Sequence, residues 1–110
     1  MSGVKDWLVE KTAPRILNQR FLKHYGEITE LKIDSTNKSL QLELELKGDP
    51  QKLWIYVHRY ELMEQKGEMQ FLVKDISVSR EWISALAQEF LLNKPFPIPP
   101  EIARLIPMIL

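Results

Sequence analysis

Between residues 40 and 47 the chain alternates strictly between leucine and a polar residue, which constrains the fold more than any other feature. Leucine occupies positions 40, 42, 44 and 46, and glutamine, glutamate or lysine occupies positions 41, 43, 45 and 47. Successive side chains of a β-strand point to opposite faces, so this period of two predicts a strand with one buried face and one solvated face. The chain must therefore contain a sheet whose leucine face is covered by another element.

Three further strands are predicted around this one. Residues 29–34 alternate in the same way, and residues 35–38 supply the polar residues of a turn. Gly48-Asp49-Pro50 separates the leucine strand from a strand at 53–62, and the turn at 65–68 leads into a strand at 69–78. Because the connections are short, we expect the four strands to form an antiparallel meander.

Helical patterns flank the strands. Residues 4–25 predict a helix in two pieces, the second capped by Thr12 with Pro14 in its first turn, and Gly26 is expected to end it. Ser79 is the predicted N-cap of a second helix. The apolar residues that share one arc of this helix are Trp82, Ile83, Leu86, Ala87 and Phe90. Leu42 and Leu44 are expected to pack beneath Trp82, Leu86 and Phe90, and Pro100 can open a short C-terminal helix.

These elements predict an α+β fold. It comprises an N-terminal helix, a four-stranded antiparallel β-meander, an amphipathic helix packed on one face of the sheet and a short C-terminal helix. With 110 residues and no linker or internal repeat, the chain is expected to form a single domain over residues 1–110.

Charge and composition exclude several classes of partner. Fifteen basic residues balance fifteen acidic ones, so the clustered positive charge that nucleic-acid binding requires is not expected. No segment approaches the roughly 20 apolar residues of a membrane helix, and we expect no membrane span. The chain has no cysteine and its first residues lack the apolar run of a secretory signal, so a cytoplasmic location is predicted.

The residue types needed for catalysis or cofactor binding are sparse. His24 and His58 are the only histidines, and neither belongs to a metal-binding motif. The four glycines form no phosphate loop or dinucleotide fingerprint, and no serine lies in a nucleophile elbow. We therefore predict no catalytic residue, no cofactor, no metal site and no enzymatic activity.

An aromatic row in the third strand and an apolar tail remain as a possible interaction surface. Side chains 54, 56, 58 and 60 share one face of a regular strand, and positions 102, 105, 106 and 109 share one stripe of the last helix. The candidate residues are Trp54, Tyr56, His58, Tyr60, Ile102, Leu105, Ile106 and Ile109. Aromatic side chains with polar tips suit a surface that is apolar yet soluble. The row can be covered by the chain itself, shared between subunits or used as a ligand groove.

These patterns predict a non-enzymatic interaction module that associates with itself or with another protein. The surplus of apolar residues beyond the leucine face and its covering helix favours a homo-oligomer. The alternative is a carrier that holds a lipid or another apolar small molecule between the sheet and the helices.

Overall fold

The computed structural model describes residues 4–105, with the backbone alone at residues 4 and 5. In chain order the elements are α1 (Val4–Leu17), a π-helix (Asn18–Leu22), β1 (Gly26–Asp34), β2 (Ser39–Leu46), β3 (Leu53–Gln65), β4 (Glu68–Val78), α2 (Glu81–Leu91), β5 (Pro95–Pro97) and α3 (Pro100–Ala103). The predicted α+β fold and antiparallel meander are confirmed. The strand order is β1-β2-β3-β4-β5, so the sheet has five strands rather than the predicted four.

The additional strand comes from the proline-rich segment. β5 pairs antiparallel with β4, Phe96 lying opposite Phe71, and the Ile98 amide donates to the Met69 carbonyl at 3.0 Å. Proline has no amide hydrogen, so Pro95 and Pro97 cannot donate to another strand at the outer edge of β5. Prolines at such positions are one of the ways in which proteins prevent edge-to-edge pairing.

The leucines of β2 point to the inner face of the sheet. Leu40 lies opposite Val57 and Leu44 opposite Leu53, and residues directly opposite each other in an antiparallel pair share a face. Leu53, Val57 and their neighbours on β4 form the larger core cluster, and Leu44 packs against it. A second cluster joins α1 to β1 and α3, and Leu40 contacts both clusters.

α1 covers the edge of β1 as well as part of its inner face. The amide of Ile33 donates to Glu10 Oε2 at 2.6 Å, and the amide of Ser35 donates to the buried Asp6 at 3.2 Å. In the π-helix, Asn18 accepts from the amide of Ile28 at 2.6 Å and donates to its carbonyl at 3.0 Å. Side chains therefore satisfy backbone groups that an edge strand would otherwise present to another chain.

α2 covers, in the same way, the part of the β4 edge that β5 does not pair with. The amide of Val78 donates to Ser84 Oγ at 3.0 Å, and Gln88 Nε2 donates to the carbonyl of Ile76 at 3.1 Å. Just after the helix, the amide of Asn93 donates to the carbonyl of Val73 at 2.8 Å. Both edges of the β1–β4 meander are thus covered by helices over part of their length.

The helix boundaries differ from the predicted ones. α1 runs through Pro14 without a break, so Thr12 caps no second helix. Gly26 is the first residue of β1, where a Cβ would fall on the carbonyl oxygen of Glu45, so the glycine permits close strand contact rather than ending a helix. Ser79 is not the N-cap of α2: Arg80 occupies that position without a side-chain cap, and Ser79 Oγ accepts from the amide of Trp54 at 3.0 Å.

Candidate interaction surface

Three of the four predicted aromatic-row residues lie together on the outer face of the sheet. We call Trp54, Tyr56 and His58 the outer patch. Trp54 and Tyr56 are half-buried and His58 is exposed. The rings of Tyr56 and His58 stack with centroids 6.2 Å apart, and His58 Nε2 lies 2.7 Å from Ser77 Oγ on β4. These contacts link Tyr56 and His58 to each other and to β4.

An ion pair borders the outer patch. Glu43 lies opposite Trp54 and accepts hydrogen bonds from Thr29 Oγ1 at 2.6 Å and Lys52 Nζ at 3.0 Å. The hydrogen bond from Thr29, followed by that from Lys52, lowers the pKa of the Glu43 carboxyl. The pKa of Lys52 is raised in turn by its hydrogen bond to Glu43. The patch is therefore an aromatic surface with polar, charged neighbours.

Tyr60 does not belong to the outer patch, contrary to the prediction. The pairing of β3 with β4 shifts register on both sides of Arg59, and these irregularities break the period of two. Tyr60 consequently points inward, is 3% exposed and stacks on Phe71 with a centroid distance of 5.0 Å. Burial, with a further contribution from the carboxylates of Asp6 and Asp34, raises the pKa of Tyr60 to about 12.

The predicted tail stripe is mostly a core element in the part that the structure describes. Ile102 on α3 is buried in the cluster that contains Val9 and Ala13 of α1, and the half-buried Leu105 packs against the same cluster. Ile102 is therefore unavailable as a contact surface. Ile106 and Ile109 lie outside the described residues, so their predicted role is not tested.

The largest apolar row found on a helix surface lies on α2 and was not predicted as a surface. Trp82, Leu86 and Phe90 are exposed to 62%, 45% and 53%, and we call them the α2 stripe. The residues of α2 that pack toward the sheet are Ile83, Ala87 and Leu91. Leu42 and Leu44 are only half-buried, and Leu44 packs in the cluster that contains Ala87. The expectation that the α2 stripe would cover the leucines is wrong.

The sequence carried a signal for this outcome. α2 has two apolar rows at i, i+4 spacing, one at 82, 86 and 90 and the other at 83, 87 and 91. Together these rows form an arc wider than one side of a helix at a sheet edge can bury. Ser84 and Gln88, which follow the second row around the helix, are the residues that bind the edge of β4. Their hydrogen bonds orient the second row inward and the first row outward.

A cleft of about 560 Å³ lies between the π-helix, the β3–β4 turn and the proline-rich segment. Phe21, Met69 and Ile98 contribute apolar lining, and the charged lining residues are Arg20, Arg104, Glu64 and Glu68. Arg20 also pairs with Glu101 of α3. The cleft therefore combines an apolar wall with charged groups.

Within residues 4–105, one hydroxyl lies beside an imidazole. The hydroxyl–imidazole contact between Ser77 and His58 is a possible nucleophile–base pair, but within this range no carboxylate hydrogen-bonds to the other nitrogen of the ring. No group of three His, Asp or Glu side chains within the same residues could hold a metal ion. In the described part of the chain, no helix is long and apolar enough to cross a membrane.

Comparison with models of known protein families finds none that matches the chain, and comparisons with characterised proteins and with solved structures find no match.

Proposed function

We propose that this protein is a non-enzymatic interaction module that associates with a second copy of itself, and that the α2 stripe is its main contact surface. The observation that carries the proposal is the exposure of Trp82, Leu86 and Phe90 in one continuous row. Trp and Phe are among the residues that contribute most contact area when they are buried at interfaces.

The size of the stripe favours a partner. Two aromatic side chains and a leucine, each about half exposed, present on the order of 300 Å² of apolar surface. Apolar patches of this size are about the largest that a typical monomer exposes, and they are often functional. The core does not need these side chains, because Ile83, Ala87 and Leu91 already bind α2 to the sheet.

The outer patch is a secondary candidate surface in this proposal. Trp54 and Tyr56 are less exposed than the α2 stripe, and their neighbours Glu43, Ser77 and Gln41 are polar. Such a surface is typical of the polar part of an interface or of a weaker contact.

The absence of cysteine suits a reducing compartment, and the proposal places the protein in the cytoplasm.

Sedimentation equilibrium of the full chain tests the proposal. We expect a dimer mass at tens of micromolar and a weight-average mass that decreases on dilution. Leu86→Asp should yield a monomer with an unchanged circular dichroism spectrum, because the substituted side chain is 45% exposed. Tyr25→Ala is the matched control, since it removes another exposed aromatic ring, 67% exposed, from outside α2. A wild-type chain that stays monomeric at tens of micromolar would contradict the proposal.

A carrier of an apolar small molecule is the second candidate. The cleft beside Phe21 and Met69 supports it, because its volume is in the range of known ligand sites and its lining is partly apolar. Native mass spectrometry of protein purified without added ligand distinguishes the two functions. A mass increase of a few hundred daltons, lost in Met69→Arg, supports the carrier, whereas a dimer without such an adduct supports the interaction module.

A further inference from the structure

Opposite charges lie on the two sides of the cleft of about 560 Å³. Arg20 of the π-helix and Arg104 at the end of α3 lie on the helical side. Glu64 and Glu68 lie on the other side, where they flank the β3–β4 turn. Within residues 4–105, neither glutamate forms an ion pair with an arginine. The cleft therefore keeps the two signs of charge apart.

Arg104 is the basic residue of the cleft that lacks a counter-ion. Arg20 pairs with Glu101 of α3, which neutralises its charge. In the described part of the chain, by contrast, Arg104 has no acidic partner. Its side chain is exposed, and a guanidinium can bind a carboxylate through two parallel hydrogen bonds. A ligand with a carboxylate is therefore favoured on this side of the cleft.

Glu64 is the acidic residue that adjoins the apolar lining. It lies directly opposite Met69 in the pairing of β3 with β4, and residues opposite each other share one face of the sheet. Glu68 lies opposite Gln65, on the other face. Glu64 also has no basic partner in the range that the structure describes. A cationic group of a ligand that contacts the apolar lining can therefore pair with the Glu64 carboxylate.

The apolar lining of the cleft joins three elements. The amide of Ile98 donates to the carbonyl of Met69 at 3.0 Å, which holds the proline-rich segment against β4. Phe21 of the π-helix adds a ring that is 58% exposed. π-helices are rare and occur frequently at functional sites, and no residue of this one is buried. Phe21 is therefore free to contact a ligand rather than the core.

We propose that the cleft binds a short peptide of two or three residues with both termini free. The peptide carboxylate accepts hydrogen bonds from Arg104, and the peptide ammonium group donates to Glu64. Apolar side chains of the peptide contact Phe21, Met69 and Ile98. This inference goes beyond self-association and is independent of it, since no residue of the α2 stripe lines the cleft. The ligand differs from the wholly apolar molecule of the second candidate function because both of its charged ends are required.

The dimensions of the cleft agree with this ligand. An extended chain spans at most about 3.3–3.6 Å per residue, so the terminal charges of a dipeptide lie roughly 7 Å apart. Charge-assisted hydrogen bonds of about 2.8 Å at each end extend this reach to roughly 12 Å. A sphere of 560 Å³ is about 10 Å across, and clefts of this volume are typical of ligand sites. The two charges of a free amino acid lie within about 4 Å of each other, which is too short to reach both sides.

Titration of the full chain with leucyl-leucine, followed by the chemical shifts of the protein amides, tests the proposal. We expect saturable binding with a dissociation constant on the order of 1 mM or lower. N-acetyl-leucyl-leucine lacks the ammonium group, leucyl-leucinamide lacks the carboxylate, and free leucine is too short. Each should bind at least roughly three- to tenfold more weakly, because each loses a charge-assisted contact.

Two substitutions assign each end of the peptide to its residue. Arg104→Gln should abolish the preference for leucyl-leucine over leucyl-leucinamide, because the carboxylate then has no unpaired cationic partner. Glu64→Gln should abolish the preference over N-acetyl-leucyl-leucine and retain the preference over leucyl-leucinamide. Both residues are exposed, so the variants should keep the wild-type circular dichroism spectrum and melting temperature. Lys11→Gln and Glu89→Gln, which neutralise exposed charges on α1 and α2, are the matched controls and should retain both preferences.

The outcomes separate this inference from the proposed function. A folded wild-type chain that shows no saturable binding of leucyl-leucine at about 10 mM would overturn the peptide site. Equal affinities for all four ligands would also overturn it, since the cleft would then respond to apolar contact alone. Binding of palmitate that is lost in Arg104→Gln and unchanged in Glu64→Gln, without binding of leucyl-leucine, would identify a fatty acid as the ligand instead. A monomeric chain that binds leucyl-leucine with the expected preferences would support the peptide site and contradict self-association alone.

Discussion

The hydroxyl-bearing ring of Tyr60 lies in the core, where its ionisation is disfavoured. Its pKa of about 12 in the folded protein exceeds the ordinary value of 10.0. The unfolded chain therefore loses the phenolic proton first, so stability is fully present below pH 10 and decreases as the pH rises toward 12. Two pKa units correspond to roughly 2 to 3 kcal/mol.

We predict that Tyr60→Phe reduces this alkaline loss of stability. Urea unfolding measured at several pH values between 8 and 12 should give a flatter curve for Tyr60→Phe than for the wild type. Tyr25→Phe is the matched control, because Tyr25 is 67% exposed, and it should retain the wild-type slope. Equal alkaline slopes for all three proteins would show that Tyr60 is not buried in the way described.

At the scale of elements, helices α1 and α2 act as covers of the sheet edges. Each helix directs apolar residues toward the core and polar side chains toward unpaired backbone groups of the adjoining strand. For α2, the hydrogen bonds of Ser84 and Gln88 determine which of two apolar rows is buried. The exposed α2 stripe is thus a consequence of how the sheet edge is satisfied.

The contribution of one such edge contact can be measured with Asn18→Ala. This change leaves both the amide and the carbonyl of Ile28 without their side-chain partner, and we expect a loss of roughly 1 to 3 kcal/mol in the free energy of unfolding. Gln19→Ala removes an exposed amide from the same π-helix and should cost less than about 0.5 kcal/mol. Chemical denaturation measures both; similar values for the two variants would argue against the edge contact.

For the molecule as a whole, ion pairs and hydrogen bonds link elements that are distant in the chain. Arg80 Nη1 lies 2.8 Å from Asp49 Oδ2, which joins the start of α2 to the β2–β3 turn. This hydrogen bond lowers the pKa of Asp49, and a hydrogen bond from Asn37 lowers that of Asp34. Carboxyl groups with lowered folded pKa values stabilise the fold above their unfolded pKa near 4.

Stability is therefore expected to decrease as the pH falls below about 4 and these carboxylates take up protons. Asp49→Asn should make the acid limb of the stability curve shallower. Glu68→Gln, which neutralises an exposed carboxylate at the start of β4, is the control. Thermal unfolding between pH 2 and pH 7 provides the measurement, and an unchanged acid limb in Asp49→Asn would contradict the role given to this ion pair.

The local pattern of the sequence determined β1 to β4, their antiparallel order and the α+β class, but not β5. A period of two specifies which face of a strand is buried wherever pairing is regular, as in β2. The same reasoning placed Trp54, Tyr56 and His58 on one face. These features could be predicted because they depend on residues that are close together in the chain.

Tertiary structure decided the features that depend on distant backbone groups. Tyr60 points inward because the pairing of β3 with β4 shifts register. The order of apolar and polar residues in the sequence does not show where this shift occurs. Ile102 became a core residue because α3 packs on α1. The rotation of α2 followed from the unpaired amide of Val78 and carbonyl of Ile76, which only the assembled sheet places beside Ser84 and Gln88. The candidate surface consequently lies on the helix that the sequence had assigned to the core. Two apolar rows of α2 compete for burial, and the hydrogen bonds at the sheet edge select which row is buried.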